Sequence, residues 1–123
     1  MKEKITTNKA PNPSGPYSQG IKINNRIYIA GQGPVDVSTG EMPSGVYAQT
    51  RQVLMNIQEI LSAAGARIDD VVKVTAHLVN FNDFEEFNRA YAEFFRDPFP
   101  VRTTVESGLN NILVEIDVIA EIG

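Results

Sequence analysis

Cysteine is absent from this 123-residue chain, which removes disulfides, thiol nucleophiles and every zinc arrangement built on thiolates. Histidine occurs once, as His77, so a histidine-rich metal site within one subunit is excluded as well. No run approaches the roughly 18 apolar residues of a membrane span. The segment Met1-Lys2-Glu3-Lys4-Ile5-Thr6-Thr7 lacks the apolar core of a secretory leader, which makes the cytoplasm the expected location. A basic excess is missing too. The 11 Lys and Arg stand against 15 Asp and Glu, for a net charge of −4, and the cations are scattered. Nucleic-acid binders draw on clustered Lys and Arg against phosphate, so no such partner is expected.

What remains is enough for one ordinary domain spanning residues 1–123. A chain of this length buries roughly two-thirds of its unfolded surface, sufficient for a core without staples. A hydrophobic fraction of 42% is that of a globular protein. Residues 8–20 are rich in Pro, Gly and Ser and read as an ordered loop. Asn24-Asn25, between Ile21-Lys22-Ile23 and the run Arg26 to Ala30, marks a tight hairpin, because asparagine tolerates positive φ. From Val46 to Ala64 the apolar residues recur mostly at three- and four-residue spacing. They predict an amphipathic helix stopped by Gly65. Asp70 to Val79 predicts a strand with Val72, Val74, Ala76 and Leu78 on one face. A second helix is expected from Asn82, with Glu85 completing an N-terminal cap. Its apolar side carries Phe84, Phe87, Tyr91, Phe94 and Phe95, and Asp97-Pro98 closes it. Two strands follow, giving the order β-β-α-β-α-β-β. Both helices bury their stripes on one face of a mixed sheet, an α+β arrangement. The other, half-apolar face is left uncovered, which points to self-assembly.

The chemistry resides in the last two strands. In the run from Phe99 to Glu106, Arg102, Thr104 and Glu106 share one face. In the run from Leu113 to Ala120, Glu115 and Asp117 share one face, with Glu121 beyond, and Val114, Ile116, Val118 and Ala120 share the other. As neighbouring strands they place a fixed cation and several carboxylates on one surface, a floor suited to gripping a small anion and activating water. A solvated sheet face dotted with charges accounts for the same pattern. Arg102 reads either as a fork for a substrate carboxylate or as a cross-strand partner of Glu115 or Asp117. Glu115 reads as a general base toward water or as the other half of that pair. Asn88, on the shoulder of the aromatic stripe, either ties the helix to a loop or offers an amide to a ligand. Tyr17 reads as packing or as a site wall, and His77 as packed at an interface rather than as a catalyst.

The segments Gly15-Pro16-Tyr17-Ser18-Gln19, Gly31-Gln32-x-Pro34, Thr39-Gly40-Glu41 and Ala63-Ala64-Gly65 occur in order. Val72-Lys73, Asn82-Asp83-Phe84, Asn88, Pro100-x-Arg102 and Val114-Glu115-Ile116 running to Ile119-Ala120 follow them. Together these pieces resemble the RidA/YjgF family of reactive intermediate deaminases, over nearly the whole chain. The resemblance implies a chorismate-mutase-like α+β fold. It also implies a homotrimer whose sheets form a central barrel, with sites in the clefts between subunits. It implies cofactor-independent hydrolysis of 2-enamine or 2-imine acids, such as 2-aminoacrylate and 2-aminocrotonate, to 2-oxo acids and ammonia. By position, Arg102 would hold the substrate carboxylate and Glu115 would activate water. Tyr17, Asn88 and Gly31 would line the pocket, and the backbone at Thr104 would help place the substrate.

Three stretches depart from the family pattern: Ala30 replaces a serine, Thr104 replaces a frequent cysteine, and Glu106 to Asn111 replaces an apolar, proline-containing approach. A changed rim of this kind implies a different enamine as an alternative substrate. Two other function classes stand beside the deaminase: a non-catalytic trimer binding small carboxylic acids or a protein partner, and an endoribonuclease or translation inhibitor. The acidic balance argues against the last.

Overall fold

The computed structural model describes all 123 residues. Its strands are β1 (Glu3–Ile5), β2 (Gly20–Ile23), β3 (Arg26–Gln32), β4 (Val71–Leu78), β5 (Val101–Glu106) and β6 (Val114–Glu121). The helices are α1 (Val46–Ala63), between β3 and β4, and α2 (Phe84–Tyr91), between β4 and β5. The six strands form one sheet in the order β1-β2-β3-β6-β4-β5. Only β4 and β5 run parallel, joined through α2, while every other neighbouring pair is antiparallel.

Period-two alternation sorts the sheet's two faces. Val74, Ala76 and Leu78 of β4 and Val114, Ile116, Val118 and Ala120 of β6 are buried against the helices. Ile27 and Ile29 extend that floor, and α1 covers it with Val53, Leu54, Ile57, Ile60 and Leu61. The helix ends where the sequence stops it. Gly65 takes φ +80°, its N–H donates to Ser62 O at 3.0 Å, and the Ala66 N–H reaches Leu61 O at 2.9 Å. That paired closure of the last turn favours glycine at the left-handed position.

Several expectations need correction. A short first strand, Glu3–Ile5, precedes the expected order; only its Ile5 is buried, too little alternation to read from sequence. At β4 the pairing slips between Val71 and Lys73, so Val71 enters the core and Val72 is 46% exposed. This bulge puts Val71 in the place expected for Val72, while Val74, Ala76 and Leu78 keep the expected core face. The second helix is shorter than its aromatic stripe: Phe94 and Phe95 lie in turns beyond Tyr91, although Phe95 still packs in the core. Its entrance is a 3₁₀ turn, Phe81–Asp83, capped by Asn80 rather than Asn82. The Asn80 side chain accepts from Asn82 N at 2.8 Å, and the Glu106 carboxylate accepts from Phe81 N at 3.2 Å.

The largest correction concerns the last two strands, which are not neighbours. β6, apolar along one whole face, takes the centre between β3 and β4. β5 follows Pro100, carries an Arg, two Thr and a Glu, and occupies the edge, where polar side chains are tolerated. Arg102 pairs with Val74 and Glu115 with His77, positions of opposite parity on β4. Arg102 and Thr104 therefore face the helices, and Glu115 and Asp117 face away from them. The open face instead receives Val101, Thr103 and Val105 from β5, beside Tyr28, Ile119 and His77.

The bulge at Val72 gives a direct test. Val71→Ala should lower stability by about 1.5–3 kcal/mol, while Val72→Ala should cost about 0.5 kcal/mol or less. Urea melts of the two variants check it.

Candidate active site

The first half of the site is built on the open face at the join of β3 and β6. Pairing shifts between Ile29 and Gln32, so Ala30 and Gly31 sit in an irregular turn of the strand. The Glu115 side chain lies directly over Gly31. A Cβ there would stand 2.3 Å from Glu115 Oε1 and 2.9 Å from its Cδ. Only the bare backbone lets the carboxylate rest in this place. Around it opens a cleft of about 480 Å³, whose walls include Tyr17, Gln32, Leu109, Asn110 and Ile112.

Buried amides hold the cleft walls. Gln19, 2% exposed, accepts from Thr7 N at 2.8 Å and donates to Thr7 O at 3.0 Å and Pro11 O at 2.9 Å. This pins both ends of the loop that carries Tyr17. Asn56 on α1 donates to Gly33 O at 3.0 Å and Val35 O at 2.9 Å, fixing the chain beyond Gly31. Gln49 accepts from Leu113 N at 2.9 Å, fixing the approach to β6. Each satisfies backbone groups that would otherwise be buried unpaired.

The second half stands on the helix side of the edge strand. The Arg102 guanidinium carbon lies 4.7 Å from the ring centre of Tyr91, 5.2 Å from Phe87 and 5.7 Å from Phe84. Three aromatic faces thus hold the cation. None of the chain's ion pairs involves Arg102. Tyr91 does not neutralise it: burial pushes its phenol up to about 12, although the charge and approach of Arg102 pull the other way. The phenol oxygen is buried without a well-aligned hydrogen-bond partner.

Ser107 N donates to Leu78 O across β4 and β5. By strand alternation, the peptide groups of Arg102 and Thr104 therefore point away from β4, toward the free edge. Asn88 sits beside the cradle, one turn after Phe84, half-buried, with no side-chain hydrogen bond inside the chain. The reading of Asn88 as a tie between helix and loop is thus not realised.

The sequence-predicted residues fall into two groups. Tyr17, Gly31 and Glu115 come together on one face, and Arg102, Asn88 and Thr104 gather near the opposite edge. An Arg102–Glu115 or Arg102–Asp117 ion pair is absent. Asp117 instead stands 3.5 Å from His77 Nε2, and Glu121 pairs with Arg26 at 3.0 Å. Sequence reasoning missed the aromatic cradle and the seating of Glu115 on Gly31. The stripe Phe84, Phe87, Tyr91 was visible, but its partner depended on where β5 would pair. No three or more His, Asp or Glu side chains gather as a metal site within the chain.

A family model described as endoribonuclease L-PSP matches residues 7–122. The chain belongs to this family, RidA/YjgF. A RutC family protein of Pyrococcus horikoshii is 50% identical over 123 residues, covering 98% of each chain. The 2-iminobutanoate/2-iminopropanoate deaminase of Escherichia coli is 41% identical over 125 residues, again covering 98% of each. The solved structure of Escherichia coli TdcF with bound serine superposes with a TM-score of 0.92 at 35% identity. It covers 98% of this chain and 99% of that one. The mixed sheet with two helices on one face is thus the RidA fold.

Gly31→Ala isolates the seating of Glu115. Its backbone lies outside the left-handed region, so the variant should fold with a melting temperature close to wild type. Its added methyl should displace the carboxylate, and a crystal structure should show the Glu115 side chain in another rotamer.

Proposed function

We propose that this protein is a hydrolytic deaminase of 2-enamine and 2-imine acids, working at sites each assembled from two copies in a homotrimer. The observation that carries the reading is a half-buried guanidinium cradled by three rings, with no carboxylate of its own chain to neutralise it. Such a cation is a receptor for a planar anion, and its N–H fork suits a carboxylate. A carboxylate base on the opposite face of the sheet cannot serve the same substrate within one chain. A neighbouring copy that presents its Glu115 cleft to the Arg102 edge completes the site. The uncovered face, with Tyr28 39% and Val101 67% exposed, gives such copies apolar surface to bury. The names of the relatives agree: one is a 2-iminobutanoate/2-iminopropanoate deaminase, and TdcF holds serine, a small carboxylate-bearing amine.

The mechanism needs little beyond placement. Arg102 grips the carboxylate, the free-edge peptide of Thr104 offers a hydrogen bond, and Tyr17 and Asn88 bound the pocket. The enamine is protonated at carbon to the imine. Glu115 takes a proton from water as its oxygen bonds to the imine carbon, and passes it to the nitrogen as the C=N π bond opens. The carbinolamine then gives its hydroxyl proton to the nitrogen by way of Glu115, the C–N bond breaks, and ammonia leaves the 2-oxo acid behind. Fixing the electrophile and one water supplies the effective concentration that free imine lacks.

Light scattering at micromolar concentration should return about three times 13.5 kDa. In a coupled assay, with a dehydratase generating the imine, Glu115→Gln should lower turnover by about 10²–10⁴-fold while keeping 2-oxobutyrate affinity. Arg102→Ala should weaken substrate binding by about 2–5 kcal/mol, and Arg102→Lys should recover part of it. Co-refolding the Arg102→Ala and Glu115→Gln chains in equal amounts should restore about one quarter of wild-type activity, the random share of intact composite sites. A mixture as inactive as its components would overturn the shared site. A wild type that binds 2-oxo acids without hastening imine decay would be a binder instead.

A further inference from the structure

The open face holds one group of polar side chains that this mechanism does not use. His77 stands opposite Glu115 in the β4–β6 register, which sets their Cβ atoms about 5 Å apart. Its Nε2 lies 3.5 Å from Asp117 Oδ2 and its Nδ1 lies 2.9 Å from Ser107 Oγ. The Ser107 N–H also donates to Leu78 O at 2.8 Å, so residue 107 is held by both backbone and side chain. Directly after it comes the segment that supplies Gly108, Leu109, Asn110 and Ile112 to the Glu115 cleft. His77 thus touches the start of one cleft wall and shares a face with the carboxylate at its floor.

The charged groups facing the imidazole are few. β6 presents Glu115 and Asp117. β5 presents Val105, which is uncharged. Along β4 itself the nearest charge is Lys73, four residues away with Thr75 between, while Arg102 and Glu106 lie on the other face.

We propose that His77 is a positioning residue for Glu115, holding the 107–112 wall through Ser107 and setting the basicity of Glu115 by its own charge. The inference rests on the deaminase reading. In its neutral Nε2–H form His77 accepts a hydrogen bond from the Ser107 hydroxyl at Nδ1, while Nε2 stands 3.5 Å from Asp117 Oδ2, in Coulombic reach but beyond hydrogen-bond length. Protonation places a hydrogen on Nδ1, reverses that bond and adds a positive charge beside Asp117, on the sheet face that also carries Glu115. The carboxylate form of Glu115 is then favoured, and the group becomes a weaker base toward water. Catalysis is strongest while His77 is neutral.

The protein's one histidine makes the test direct, because the imidazole C2–H proton signal of the tag-free trimer belongs to His77 alone. Its pH titration is followed in wild type, Glu115→Gln and Asp117→Asn. Each substitution removes a negative charge facing the ring, so each should move the midpoint to lower pH. Wild-type turnover, measured above uncatalysed imine decay, should fall about two- to threefold as pH drops through the midpoint of that signal, while His77→Gln stays level. Coincident titration curves for wild type and Glu115→Gln overturn the coupling. Shifted curves with identical pH profiles for wild type and His77→Gln overturn the role in the reaction and leave the deaminase reading standing. A wild type inactive at every pH overturns that reading and the role of His77 with it.

Discussion

β6 lies between β3 and β4, and its strict alternation decides what each face of the sheet contains. Val114, Ile116, Val118 and Ala120 must enter the core, and that alone turns Glu115 and Asp117 outward. A one-residue slip would reverse every one of these side chains and bury two carboxylates under α1. The hydrophobic face therefore fixes the register, and the register fixes the face on which Glu115 stands. The Glu115 half-site thus needs no separate element of its own. It is the necessary reverse side of the core, and the same packing that stabilises the fold holds Glu115 in place.

The other half follows a different logic. Arg102 belongs to an edge strand with one neighbour, so the sheet alone would hold it loosely. α2 supplies what the sheet lacks: Phe87 and Tyr91 are buried beneath the guanidinium and Phe84 flanks it. Aromatic faces attract a cation without consuming its hydrogen-bond donors. A carboxylate in the same position would have held the side chain equally firmly and neutralised it. The choice of rings over an acid keeps Arg102 both ordered and available.

Much of this was legible in the sequence, and the failures have physical causes. The helix α1 and its stop at Gly65, the hairpin at Asn24-Asn25 and the core face of β6 follow from short-range pattern. Arg102 and Glu115 stood out by strand alternation and chemistry, and the order of family motifs added Tyr17, Gly31, Asn88 and Thr104 to them as one candidate set. Alternation tells which residues of a strand share a face, but nothing in a single strand tells which strand lies beside it. The supposed adjacency of β5 and β6 failed on that point, and with it the placement of Arg102 beside Glu115. The bulge at Val72 and the seating of Glu115 on Gly31 depend on contacts between residues far apart in the chain. The capping amide of Asn80 was overlooked for a different reason: Asn82, two residues on, offered a conventional signature.

The two margins of the sheet are unlike. β1 is three residues long and shows two charged side chains, Glu3 and Lys4, to solvent. Strands of that kind are poor templates for a further strand. β5 runs six residues; its first, Val101, is 67% exposed, and Phe99 just before it is 55% exposed. A sheet with one blunted margin and one receptive margin cannot extend by repeated head-to-tail strand addition, since each added copy would need the margin that is missing. The short charged strand at one margin thus guards the whole sheet against open-ended, strand-on-strand growth.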